Sequence, residues 1–126
     1  MSQSGELSAL AIESDGEILE LIIEHFKTNQ IDVTGVRTTT EGMTLLNQNR
    51  YDIVVVNLSQ KPSGVEIYER AKSCGARAVR ILTSGGDRIL LEEAVRTART
   101  DLVYKPLDMY ALVDDLIKEA RAKHQS

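Results

Sequence analysis

Runs of aliphatic residues alternate along this chain with segments whose apolar residues recur at helical spacing. The most informative run is residues 53–56, four consecutive apolar residues rich in β-branched side chains, between Asp52 and Asn57. A continuous apolar run without alternation is typical of a strand that is covered on both faces, as in the centre of a parallel sheet. Because the chemistry of open α/β sheets lies at the carboxyl ends of the strands, Asn57 is the first candidate functional residue.

The same patterns predict five strands and five helices in alternation. The predicted strands are 7–12, 31–36, 52–57, 78–83 and 102–104. The predicted helices are 15–29, a second that Thr39 or Thr40 caps, 64–74 with Gly75 as its C-cap, 89–98 after the N-cap Asp87, and a last one from the N-cap Asp108 to about 122. This alternation predicts an α/β fold, a doubly wound parallel sheet with helices on both faces.

Composition narrows the class of protein. The 126 residues fit one domain, with a core at about 7–120, and the net charge of −4 argues against a generic nucleic-acid binder. A single cysteine, Cys74, excludes an intrachain disulfide and fits a reducing compartment. The chain has no apolar run of roughly 18 residues and no signal-peptide pattern at its start. We therefore expect a cytoplasmic protein with neither nucleic acid nor membrane among its partners.

Polar residues at the strand ends resemble those of the receiver domain of bacterial response regulators. The matching residues end the first, third, fourth and fifth predicted strands: Glu13 with Ser14, Asn57, Thr83, and Lys105 with Pro106. Four matches in the right order and spacing cover nearly the whole chain. The resemblance implies the CheY-like, flavodoxin-like (βα)5 fold with a five-stranded parallel sheet in the order 2-1-3-4-5.

Three positions depart from the pattern that the resemblance implies. The family has an acidic pair after the first strand, an aspartate that accepts a phosphoryl group after the third, and an aromatic switch residue three positions before the lysine. This chain has Ser14, Asn57 and Leu102 at the second acid, the acceptor and the switch. The amide of Asn57 is neutral and a very poor nucleophile, so we expect no acyl phosphate there.

The metal site that the resemblance implies is also depleted. Mg²⁺ prefers several oxygen ligands with carboxylates among them, and the pocket charge falls from about −2 in the family to about 0 here. Lys105 is expected to pair with Glu13 or to hydrogen-bond the Asn57 side-chain oxygen. Asp15 could contribute a further carboxylate to the pocket, but the backbone N–H groups at the start of the first helix compete with a metal ion for it. We expect no cofactor, and Mg²⁺ binding that is weak at Glu13 or absent.

These observations predict a pseudo-receiver, a non-enzymatic protein-interaction module of bacterial signal transduction that acts without phosphorylation. The alternative is a working receiver in a phosphorelay, phosphorylated at a non-standard residue such as Ser59 or Asp15. Thr83 and Lys105 fit both hypotheses, because they either preserve a switch or satisfy local backbone and carboxylate partners. A flavodoxin is disfavoured because the loop after the first strand is acidic where a phosphate would bind.

The resemblance also implies a partner face. Family members bind partners or dimerise through helix 4, strand 5 and helix 5, where this chain has Leu91, Val95, Tyr104 and Leu107. A protein partner or a second copy of the chain is expected there; ordinary scatter of surface apolar residues is the competing interpretation. Arg80, unusual within a strand, is predicted to lie at the entrance of the fourth strand with its guanidinium extended to solvent.

Overall fold

The computed structural model describes residues 7–105 and 108–125, with side chains to residue 123. Within these ranges the strands are Ser8–Ile12 (β1), Asp32–Val36 (β2), Ile53–Asn57 (β3), Ala78–Thr83 (β4) and Leu102–Tyr104 (β5). The helices are Gly16–Thr28 (α1), Thr39–Gln48 (α2), Gly64–Ser73 (α3), Arg88–Ala98 (α4) and Met109–Gln125 (α5), with a 3-10 turn at Arg99–Asp101. No helix among the described residues is long and apolar enough to cross a membrane.

The strands form one parallel sheet in the order β2-β1-β3-β4-β5. This confirms the doubly wound α/β fold and the strand order that the resemblance implies. Val56 pairs with Ile12 of β1 on one side and with Ile81 of β4 on the other, so β3 is the central strand. The carboxyl ends of β1, β3, β4 and β5 consequently lie along one edge of the sheet.

The core has one layer on each face of the sheet. Ile53 and Val55 pack with residues of α1 and α5, whereas Val54 and Val56 pack with residues of α2, α3 and α4. All four side chains are fully buried. Burial on both faces explains why the run has no polar residue at alternate positions.

Side-chain caps start the helices, and one of them differs from the prediction. Asp87 caps α4 and Asp108 accepts backbone hydrogen bonds at the start of α5, as predicted. The cap of α2 is Thr38, whose Oγ1 accepts from the backbone N–H of Glu41 at 3.1 Å, so the prediction of Thr39 or Thr40 is wrong. Thr39 lies inside the helix and is buried.

Arg80 is tied into a polar cluster, which overturns the prediction of a solvent-extended guanidinium. It is the third residue of β4, its side chain is 15% exposed, and it pairs with Asp101 at 3.1 Å and Glu119 at 2.6 Å. The hydroxyl of Tyr68 donates to Asp101 at 2.7 Å, and burial together with this bond raises the pKa of Tyr68. The cluster thus links β4, α3, α5 and the 3-10 turn at the flank of the sheet opposite β2.

Candidate functional site

Glu13 is the centre of the polar site at the carboxyl edge of the sheet. It follows β1 directly, its side chain is 1% exposed, and its Oε1 lies 2.8 Å from Nζ of Lys105 beyond β5. Its Oε2 accepts from the backbone N–H of Asp15 at 3.0 Å and from Nδ2 of Asn57 at 3.3 Å. Of the two partners predicted for Lys105, Glu13 is the one with which it pairs in the structure. A buried carboxylate of this kind is stable only with such charge-assisted partners.

Asn57, at the end of β3, uses both ends of its amide. Nδ2 donates to Glu13 and lies 3.3 Å from Oγ of Ser14. Oδ1 accepts from the backbone N–H of Ser59 at 3.3 Å. An amide suits this position because it donates to Glu13 and accepts from the loop, whereas an ionised aspartate has no N–H to give.

Asp15 is engaged at the start of α1. Its Oδ1 accepts from the backbone N–H groups of Glu17 at 3.0 Å and Ile18 at 3.3 Å, as an N-cap does. Ser14 beside it contributes a neutral hydroxyl to the site. Across residues 7–105 and 108–123, no group of three or more His, Cys, Asp or Glu side chains is placed to hold a metal ion.

Thr83, the last residue of β4, shapes the next loop. It is fully buried, and its Oγ1 accepts from the backbone N–H of Gly85 at 2.9 Å. Gly85 has a φ of +83°, a conformation that favours glycine. A Cβ at Gly85 would lie 3.9 Å from the ring of Tyr104, so this loop lies close to the end of β5.

Arg37 and Gln60 connect the loops around the site, and the sequence pattern did not point to either residue. Nε of Arg37 donates to the backbone oxygen of Ser14 at 2.8 Å. Gln60 donates from Nε2 to the Arg37 backbone oxygen at 3.2 Å and accepts from the backbone N–H of Thr39 at 2.7 Å. These bonds join the loops that follow β1, β2 and β3. Residues more than 20 positions apart make them, so no local pattern could have revealed them.

The predicted partner face is apolar but unevenly exposed. Tyr104 is 50% exposed, whereas Leu91 and Val95 of α4 are half-buried. Leu102, at the switch position, is half-buried and packs with the core layer that α4 covers. Leu107 lies outside the described residues.

Solved receiver domains share this architecture over nearly the whole chain. The receiver domain of the Francisella response regulator 1452 is 22% identical with a TM-score of 0.76, over 93% of this chain and 98% of that one. A CheY-like receiver domain protein of Methanospirillum hungatei is 14% identical with a TM-score of 0.79, over 94% and 97%. A receiver domain protein of Clostridium thermocellum is 22% identical with a TM-score of 0.74, over 94% and 98%.

Neither the family models nor the curated proteins include a match to this chain. The similarity to solved structures, at 14% to 22% identity, therefore concerns architecture. The TM-scores of 0.74 to 0.79 and the coverage of more than nine tenths of both chains show that the architecture is shared. The chain has the fold of response-regulator receiver domains.

Proposed function

We propose that this chain is a non-enzymatic signalling module of receiver type, which acts without phosphorylation and works by binding another protein. The observation that carries the proposal is the amide of Asn57 at the end of β3, hydrogen-bonded to Glu13 and Ser59. Acyl phosphate formation requires an ionised carboxylate oxygen as nucleophile. The Asn57 amide offers none, and its two polar atoms already have partners.

The charges of the site support the same proposal. Phosphoryl transfer to a receiver uses a divalent cation to hold the incoming oxygens, and such a cation requires several oxygen ligands. Glu13 is neutralised by Lys105 at 2.8 Å, and the Asp15 carboxylate caps α1. Without a phosphoryl group, the usual driver of a population shift at the Thr83 and Leu102 positions is missing. The module then has a fixed conformation or one that a partner sets.

The partner surface that we propose is the face formed by α4, β5 and α5. Tyr104 of β5 is 50% exposed, and Leu91 and Val95 of α4 are half-buried. Tyrosine is enriched at protein interfaces because one side chain offers both an apolar ring and a hydroxyl. A partner protein, or a second copy of this chain, is the proposed occupant.

Treatment with acetyl phosphate and Mg²⁺, followed by intact-mass measurement, tests the proposal. We expect no mass gain for the wild-type protein. The Ser14→Asp/Asn57→Asp double variant restores both carboxylates and is the matched positive control. A phosphoryl mass gain on the wild type would overturn the proposal and favour a receiver with another acceptor, which Ser59→Ala and Asp15→Asn would then locate.

A second test uses amide NMR. Mg²⁺ and then beryllofluoride, a mimic of the phosphoryl group, are added to the folded protein at millimolar concentration. We expect the signals of Glu13, Asn57, Thr83 and Lys105 to stay in place. Shifts at these residues that extend into α4 would show that the pocket still responds to phosphoryl-like ligands, which contradicts the proposal.

A further inference from the structure

A groove of about 590 Å³ lies between the first turns of α3 and α4, and its lining includes none of Leu91, Val95 and Tyr104. Its lining includes residues of the loop after β3 and of both helix starts: Pro62, Glu66, Asp87, Ile89, Leu90 and Glu93. The groove is large enough for a few side chains of another molecule.

One wall of the groove is an apolar surface that the fold does not cover. Ile89 is 79% exposed, the most exposed of the large apolar side chains in the described chain. Leu90 beside it is half-buried and packs against the core. Helix formation does not explain an exposed isoleucine at position 89, because β-branched residues are weaker helix formers than unbranched ones. Covering Ile89 with another apolar group would remove this surface from water.

The rim of the groove is acidic. Glu66, Asp87 and Glu93 bring three carboxylates to it, against the single ammonium group of Lys61. Two of the carboxylates are fixed, because Glu66 accepts from the backbone N–H of Ser63 at 3.1 Å and Asp87 from that of Leu90 at 3.0 Å. Charges that are already held in place lose little conformational freedom when an oppositely charged partner binds.

We propose that this groove is a docking site for a basic amphipathic segment of a partner protein. Apolar side chains of the segment pack on Ile89 and Leu90, and its lysine or arginine side chains face Glu66 and Glu93. Such a segment matches both the apolar wall and the sign of the rim. The proposal concerns a second surface and does not depend on the phosphorylation chemistry at Asn57.

The groove also adjoins the polar site. Gln60 lines it and simultaneously bonds the backbone of Arg37 and Thr39. An occupant therefore touches the loop that carries Ser59, whose backbone N–H donates to Asn57. Binding in the groove is expected to shift the amide signals of this loop.

NMR titration with two synthetic peptides tests the proposal. One is a short amphipathic helix of leucine and lysine, and the other has glutamate in place of lysine. We expect only the lysine peptide to bind, with shifts at Ser63, Glu66, Ile89 and Leu90. Ile89→Ser and Glu93→Lys should each weaken binding about tenfold, because a central apolar anchor or a facing charge is lost.

Matched variants on α1 provide the controls. Leu21→Ser removes an exposed apolar side chain outside the groove, and Glu24→Lys makes the same change of net charge as Glu93→Lys. We expect both to bind the lysine peptide as the wild type does. Absence of binding, equal binding of both peptides, or equal weakening by the α1 and groove variants would each overturn the proposal.

Discussion

Nζ of Lys105 lies 2.8 Å from Oε1 of Glu13, and the two side chains are 18% and 1% exposed. A carboxylate this deeply buried depends on its cationic partner, because the protein interior solvates a lone charge poorly. Since Ser14 and Asn57 beside the pair are neutral, Lys105 balances the charge of Glu13. The ion pair thus joins the residue after β1 to the residue after β5.

Removal of the cation from this pair should be strongly destabilising. We expect Lys105→Met to lower the free energy of unfolding by about 3 kcal/mol, because Glu13 keeps a buried charge without its partner. The Glu13→Gln/Lys105→Met double variant should recover most of this loss. Urea denaturation followed by circular dichroism measures both. Arg88→Met, which breaks the exposed pair with Glu92 at 3.8 Å, should change stability by less than about 1 kcal/mol. A Lys105→Met effect no larger than that of Arg88→Met would contradict this expectation.

Asn57→Asp should make the protein responsive to Mg²⁺. The change removes the hydrogen bond to Glu13 and places a second carboxylate beside it, so we expect a loss of about 1–3 kcal/mol in the free energy of unfolding. Millimolar Mg²⁺ should restore part of this stability, because a cation that binds only the folded state stabilises it. Thermal unfolding with and without Mg²⁺ measures the effect.

Two proteins serve as references for that experiment. Asn57→Ala loses the same hydrogen bond without gaining a carboxylate, so its melting temperature should not depend on Mg²⁺. The wild type should also be insensitive. Stabilisation of the wild type by Mg²⁺ as large as that of Asn57→Asp would show that Asn57 does not limit metal binding.

The sequence predicted the sheet well because local composition and tertiary environment agree there. Burial on both faces requires an unbroken apolar run, and 53–56 has one. The bounds of β4 and β5 are those predicted, whereas β1, β2 and β3 each begin one residue later. The alternation of strands and helices along the chain is compatible with few topologies. Among these, the residues at the strand ends indicated the strand order of receiver domains.

The wrong predictions concern residues whose structural role depends on partners far away in the sequence. Three consecutive threonines follow β2, and each has the hydroxyl that a cap requires, so local preference alone does not choose between them. The structure selects Thr38, while the N–H of Thr39 is satisfied by Gln60 from the loop after β3. Arg80 likewise finds Asp101 and Glu119, 21 and 39 positions away, and the sequence around Arg80 contains no sign of either.

Gly64 should be needed where the start of α3 packs closely against the end of β3, at Asn57 and Leu58. A Cβ at this position would lie 2.7 Å from Cα of Leu58 and 2.8 Å from the backbone oxygen of Asn57, and backbone atoms cannot easily move aside. We therefore expect Gly64→Ala to destabilise the protein by about 1–3 kcal/mol through overpacking and to shift the amide signals of Asn57 and Ser59. Gly86→Ala is the matched control, since its Cβ would meet only the Ser84 hydroxyl at 3.6 Å. Equal tolerance of both substitutions would refute the close-approach argument.

Glu119 should contribute a pH-dependent part of the stability. Burial alone would raise its pKa, but hydrogen bonds from Lys123 and Arg80 outweigh burial and hold the pKa below its usual value of 4.5. A carboxyl with a lowered folded-state pKa stabilises the protein above about pH 4.5, and this contribution is lost as the pH falls through the folded-state value. We expect Glu119→Gln to lose about 1–2 kcal/mol at neutral pH, with a smaller difference from wild type under more acidic conditions. Urea midpoints across this pH range measure the difference, and a gap that stays constant into strong acid would show that the carboxylate charge is not its source.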